Sequence, residues 1–251
     1  MRLLLTLVFL VSLIRLNASP VRSAVGYKHI SMADGGGEVS YSAKDYVQDG
    51  LVCLMDGIEN VGLGEHDDEA SFWVNLVNGG LSEAIGGRTW NADGLNTSGH
   101  LGLSWGSPTA VQDAEQNSRT MEVVFSTKES SAQAILISLG TRRVIGCTGN
   151  SIGIGPYQAV PISSALDETL GVSVTYPEGG NSPTAAYVNG VLVPERTGGN
   201  FTNPVSNGIF VGGYYSKPFS GKVFCIRMYS RELTADEVAW NNRIDRARFG
   251  L

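Results

Sequence analysis

Cysteine and histidine are scarce, three of each in 251 residues. Cys53, Cys147 and Cys225 are an odd set with no C-x-x-C spacing, and His29, His66 and His100 are scattered, which argues against a structural zinc site. Basic residues are outnumbered, 18 Lys and Arg against 24 Asp and Glu, for a net charge of −6 with no Lys/Arg cluster. That excludes the basic stripe by which a protein holds nucleic acid. No apolar run reaches the roughly 20 residues that span a bilayer. The longest, Leu3 to Ile14, follows Arg2 and leads into NASPVRSA, the outline of a secretory signal peptide over residues 1–24. No Cys follows it to carry a lipid anchor, so no membrane insertion is expected after cleavage, and the product is exported: extracellular, cell-surface or periplasmic. There is no G-x-S-x-G elbow, and GNSIGIG at Gly149–Gly155 lacks the Lys of a phosphate loop. No repeat of fixed period supports a propeller or β-helix.

Glycine is plentiful, 32 residues, as tight turns between short strands require. Residues 25–45, with Gly35-Gly36-Gly37, read as an N-terminal arm or linker, and residues 46–251 as one domain. Within it, strand patterns succeed one another at 51–56, 72–76, 88–91, 101–105, 120–126, 135–139, 142–147, 151–155, 170–176, 185–188, 191–193, 208–212 and 222–229. Met121, Val123 and Phe125 alternate with Thr120, Glu122 and Ser126; Leu170, Val172, Val174 and Tyr176 alternate with Gly171, Ser173 and Thr175. Each predicts one core face and one wet or groove-facing side. Asn189-Gly190 marks a two-residue hairpin turn of the primed type. Trp73 and Trp90 lie in strand-like runs and predict core positions, and Trp240 is expected to pack a helix against the sheet. Ala110–Asn117 holds at most a turn of helix. Cys53 and Cys225 sit in apolar patterns and predict buried thiols.

The C-terminal run PFSGKVFCIRMYSRELTADEVAWNNRIDRARF is the most informative stretch. From Phe219 to Tyr229 both faces are largely apolar, with Phe224, Ile226 and Met228 on one side and Val223, Cys225 and Tyr229 on the other, as for a strand between two layers. Thr234 and Glu237 make a capping box, with Leu233 and Val238 as a staple, so a helix starts here. Many short antiparallel strands and this one helix predict an all-β fold, an antiparallel jelly-roll β-sandwich with one short C-terminal helix. Gly221, Arg227, Tyr229, Arg231, Leu233, Thr234 and Glu237 fill the closing pattern of the concanavalin A-like lectin/glucanase superfamily, which this ending resembles. The opening YVQDGLVCLMDGIENVGLGEHDDEASFWVNL is similar to laminin-G-like and pentraxin-like modules of Bacteroidetes surface proteins. The resemblance specifies the fold; the function remains among lectins, glycosidases, adhesion modules and virus-associated proteins.

Three readings follow. The first is a non-catalytic module that binds a polysaccharide, glycoconjugate or other surface ligand, with Trp105, Tyr157, Tyr214 and Tyr215 in Gly- and Pro-bearing segments as the aromatic platform and Asn207, Asn203 and Asp93 beside them. The second is a β-glucan hydrolase. Glu65, Asp67 and Glu69 have the E-x-D-x-E spacing of laminarinase-type glucanases of the resembled superfamily, whose two Glu serve as nucleophile and acid/base about 5–5.5 Å apart. Gly62, Leu63 and Gly64 before them and Ala70 and Ser71 after them supply no alternating apolar partners, so a solvated acidic loop is expected there. Calcium is the one cofactor the resemblance suggests, with Asp67, Asp68 and Glu69 as oxygen ligands. The third is a structural or adhesion protein of a surface or phage-like assembly binding a protein partner, which a large exposed apolar patch would favour.

Overall fold

The computed structural model describes residues 40–82, 84–97, 103–105, 120–127, 134–139, 142–148, 151–154, 158–161, 168–177, 184–193, 209–211, 213–214 and 217–251. In chain order these form β1 (Leu51–Asp56), β2 (Thr89–Asn91), β3 (Gly94–Asn96), β4 (Leu103–Trp105), β5 (Thr120–Thr127), β6 (Ala134–Leu139), β7 (Arg142–Thr148), β8 (Ser151–Ile154), β9 (Gln158–Pro161), β10 (Thr169–Thr175), β11 (Ala185–Val188), β12 (Val191–Leu192), β13 (Ile209–Val211), β14 (Gly213–Tyr214), β15 (Lys217–Pro218), β16 (Gly221–Tyr229) and the helix α1 (Ala235–Phe249). All lie in the unit Val39–Leu251.

The strands pair antiparallel in a β-sandwich. The larger sheet runs β12-β11-β10-β5-β16-β3-β2, and β1 joins β16 beyond the point where β3 leaves it. The smaller runs β4-β13-β6-β7-β8-β9, and β14 and β15 make a separate ribbon. Alternation decides what lies between the sheets. Met121, Val123 and Phe125 of β5, Leu170, Val172 and Val174 of β10, and Val223, Ile226 and Met228 of β16 share a buried cluster with Ile145 of β7 and Ile152 of β8. Each such side chain, fully buried, contributes about 1.5–3 kcal/mol. Trp73 and Trp90 are core residues as expected, edge-to-face at 5.3 Å. The β11–β12 hairpin turns on Asn189 and Gly190 with φ of 50° and 75°, as the primed turn demands. Cys53 and Cys225 are buried free thiols, and burial pushes Cys53 up to about 12.

Several expectations are corrected. The second face of β5 and β10, expected to be wet or groove-facing, is covered: Glu122 and Thr175 are 1% exposed, and Ser173 is also buried. The cover is α1 and the strap of residues 42–48 ahead of β1, neither of which strand alternation can show. A bulge in β16 inserts Phe224 between Val223, opposite Phe125, and Cys225, opposite Val124. The two faces therefore exchange, so that Val223 joins Ile226 and Met228 while Phe224 joins Cys225 under the helix. Residues 72–76 form single bridges, Val74 to Leu81 and Asn75 to Met55, in place of a strand. β3, β9, β14 and β15 were not in the strand pattern at all. Ala43–Asp45, ahead of Tyr46, is a 3-10 turn with Ala43 fully buried. Ala110–Asn117 and Cys147's side chain lie outside the described residues.

Helix α1 begins where the capping box placed it. Thr234 Oγ1 accepts from Glu237 N at 3.3 Å, Glu237 Oε2 accepts from Thr234 N at 2.9 Å, and the helix ends on Gly250 with φ of 72°. Glu237 also takes the fork of Arg231 at 2.9 and 2.6 Å. Thr234→Ala is expected to cost about 1 kcal/mol of unfolding free energy in urea titration. Trp240, half-buried, lies edge-on to Tyr41 and donates from Nε1 to Asp45 O at 2.9 Å, so it grips the strap.

Under α1 lies a connected set of charges. Arg227 sends Nε to Glu122 at 2.7 Å and a two-pronged fork to Asp245 at 2.7 and 2.6 Å. Glu122 also accepts from Ser173 Oγ at 2.8 Å and Asn241 Nδ2 at 2.7 Å. Tyr46 lies with its ring 4.1 Å from the Arg227 guanidinium and its hydroxyl donating to Asp245. Burial works against the charge of Arg227, but Asp245 and Glu122 outweigh it and hold the pKa well above its ordinary value. The closing pattern of Arg227, Arg231, Thr234 and Glu237 therefore seats and caps the helix.

Candidate functional site

The acidic loop grows out of β1. Asp56, the last residue of that strand, accepts the N–H groups of Ile58 and Glu59 on one oxygen at 2.9 and 3.0 Å, which turns the chain outward. Its carboxylate also takes the Arg248 fork at 2.7 and 2.9 Å. Burial raises the Asp56 pKa, opposed by Arg248 and the Glu59 amide. Asn60 clamps the loop across seven residues: its Nδ2 donates to Asp67 O at 2.8 Å and its Oδ1 accepts from Asp67 N at 2.9 Å. The chain reverses over Leu63 and Gly64, the latter at φ of 78°, and Glu65 N returns to Gly62 O. The His66 ring nitrogens face Ile58 O at 3.1 Å and Asp68 Oδ1 at 2.9 Å.

Glu65, Asp67, Asp68 and Glu69 are thus exposed on a braced loop that belongs to no strand, as their flanks predicted. Asp67 Oδ1 caps the loop itself by accepting from Glu69 N at 2.8 Å. Among the described residues no three His, Cys, Asp or Glu gather as a metal-holding group.

The aromatic candidates fall differently. Trp105 ends β4, the edge strand of the smaller sheet, opposite Ile209 at the start of β13. Tyr214 is in β14, beyond the other end of β13, so backbone register separates the two. Tyr157 and Tyr215, with Asn203 and Asn207, lie outside the described residues. Asp93 pairs with Lys222 at 2.7 Å beside the β2–β3 turn.

Sequence reasoning missed a groove of about 240 Å³ between the strap and the loops, lined by Ala43, Lys44 and Gln48 on the strap, by Leu51 and Leu54, and by Leu63, Leu76 and Val77. Leu63 and Val77 are each 44% exposed, and Phe72 and Leu81 of the neighbouring segment 41% and 51%. The signal was present as apolar residues without period in 61–81, which strand templates do not register.

The profile of the concanavalin A-like lectin/glucanases superfamily, in its laminin-G-like form, matches residues 103–239. The chain belongs to this superfamily. Curated proteins yield no match. Among solved structures, this superfamily member resembles the Trypanosoma rangeli sialidase in complex with sialic acid, at a TM-score of 0.58 and 18% identity over 78% of this chain and 33% of that one. It also resembles domain 4 of AbnA, a GH43 extracellular arabinanase from Geobacillus stearothermophilus, in complex with arabinotriose, at a TM-score of 0.50 and 13% identity over 75% of this chain and 96% of that one. The chain spans about a third of the sialidase's length, and at these identities the likeness is one of fold. No helix among the described residues is long and apolar enough to cross a membrane.

Proposed function

We propose that this lectin-like sandwich is exported and binds an extracellular glycan or glycoconjugate without turning it over. Membership of the superfamily carries the reading. It is supported by the complexes in which similar folds hold sugars, sialic acid in the sialidase and arabinotriose in the arabinanase domain. The non-catalytic half rests on Glu65 and Glu69 standing exposed on a loop outside both sheets. Sugar faces would stack on Trp105, Tyr157, Tyr214 and Tyr215. A glycan-array screen with and without calcium, run beside a reducing-sugar assay on β-glucans, tests this. Saturable binding with no sugar release is expected, unchanged in Glu65→Gln and Glu69→Gln. Sugar release abolished by either substitution would make the chain a hydrolase. A second reading, binding of a protein partner in a surface assembly, is favoured by the exposed apolar side chains of Leu63, Phe72, Val77 and Leu81. Silence in both assays would move the weight there.

A further inference from the structure

One buried carboxylate joins three parts of the chain that are remote in sequence. Glu59 is 5% exposed. Its Oε1 accepts from Ala43 N at 2.7 Å and from Arg248 Nη2 at 3.0 Å, and its Oε2 accepts from Gly64 N at 2.8 Å. Ala43 opens the strap, Gly64 sits at the turn that begins the acidic loop, and Arg248 lies in the last turn of α1. Strap and turn also both line the groove, the strap through Ala43 and Lys44 and the turn through Leu63. We propose that Glu59 is a three-way latch that makes the strap, the acidic loop and the end of α1 open and close as one unit, and so sets the width of the groove.

The neighbouring contacts support an all-or-none event. Hydrogen bonds to a buried charge are stronger than neutral ones, and each partner lost leaves part of that charge unpaired where water does not reach it. The strap cannot leave alone. Tyr46 lies with its ring 4.1 Å from the Arg227 guanidinium and 5.5 Å from that of Arg248, Val47 N donates to Asn241 Oδ1 at 3.0 Å, and Trp240 holds Asp45 O. The loop cannot leave alone either. Asn60, next to Glu59, holds Asp67 by two hydrogen bonds, so movement of the Glu59 backbone carries the carboxylates of 65–69 with it. Arg248 completes the circuit, since the same guanidinium that reaches Glu59 is fixed on Asp56 at the root of the loop. Segments coupled in this way open as cooperative units below the global unfolding free energy. By reciprocity, whatever orders the acidic loop or fills the groove is felt at the helix end.

Amide hydrogen exchange on the full chain tests the latch. Glu59→Gln keeps the size of the side chain but cannot accept from both Ala43 and Gly64. It is expected to speed exchange at Ala43, Gly64 and Gly250 together, by about tenfold or more for a lost charge-assisted bond. Val123 and Val172, in the middle of the larger sheet, should be unchanged. A rise at only one of the three would overturn the proposal, and so would an equal rise at Val123 and Val172, which would make Glu59 a general stabiliser.

Discussion

Arg227→Met is expected to lower the unfolding free energy by about 3–5 kcal/mol, the cost of removing one partner from a buried ion pair. The guanidinium is 2% exposed at the side chain, and the carboxylates it holds, on Glu122 and Asp245, are 1% and 3% exposed. Methionine fills the stem but leaves both carboxylates facing an apolar interior. Glu122 keeps Ser173 Oγ and Asn241 Nδ2, and Asp245 keeps the Tyr46 hydroxyl, so neither is wholly orphaned. Neutral donors do not balance a buried charge, and the loss stays in the upper range for a single substitution. Arg227→Lys is expected to fall in between, since an ammonium cannot supply Nε to Glu122 and a two-pronged fork to Asp245 at once. The decisive comparison is the triple variant Arg227→Met, Glu122→Gln, Asp245→Asn. Removing all three charges relieves the desolvation that the single variant leaves uncompensated, so the triple should be more stable than Arg227→Met alone. Urea titrations of the three proteins measure this. A loss below about 1 kcal/mol for Arg227→Met would mean that the pair behaves as an exposed one.

That same network marks the limit of what could be read from the sequence. Alternation in β5 and β10 was legible because Met121, Val123 and Phe125 and then Leu170, Val172 and Val174 obey a period of two, and period alone shows that one face is buried. It does not show what covers the other. Glu122 and Ser173 read as wet or groove-facing because polar residues on one face of a strand normally are, and it takes the docking of α1 and the strap, both remote in sequence, to make them interior. Their partners give no local sign: Glu122 and Arg227 are 105 positions apart, and Asp56 and Arg248 are 192 apart. Arg227 inside an otherwise apolar strand is the one local anomaly in the sequence. The bulge at Phe224 was invisible for a related reason. The sequence around it is apolar on both faces, so exchanging Val223 and Phe224 changes no hydropathy pattern. Turn chemistry was easier, because Asn189-Gly190 and the Thr234–Glu237 box meet requirements that lie within four residues. The acidic loop was legible by the same local logic. A strand needs alternating partners, Gly62-Leu63-Gly64 supplies none, and the carboxylates indeed stand on a turn. Glu59 was not, since a hub is defined by who donates to it, and its donors come from residues 43, 64 and 248.

Trp73→Ala is the other substitution expected to cost several kcal/mol, about 3–5 by the measure of large aromatic residues truncated in a core. Trp73 is fully buried. Its ring meets Trp90 edge-to-face at 5.3 Å and 89°, and its Nε1 donates to Asp56 O at 3.0 Å. Its backbone is fixed as well, with N donating to Ser82 Oγ at 2.9 Å and O accepting from Ser82 N at 3.0 Å, so the segment cannot collapse into the space vacated. Trp90 in turn donates to Ala70 O at 2.9 Å, which ties the end of the acidic loop to the same aromatic pair. The consequence is specific to the site. Trp73→Ala removes the wall behind the loop and the donor to Asp56 at its root, whereas Trp73→Phe keeps most of the ring packing and loses only the donor, about 1 kcal/mol. Denaturant unfolding separates the two variants. Protease cleavage within residues 61–70 under native conditions then reports whether the loop has lost its anchor. Faster cleavage in Trp73→Ala than in Trp73→Phe, beyond the difference in global stability, is the expected outcome. Equal cleavage after that correction would show that the Asp56, Glu59 and Asn60 hydrogen bonds hold the loop without the core behind it.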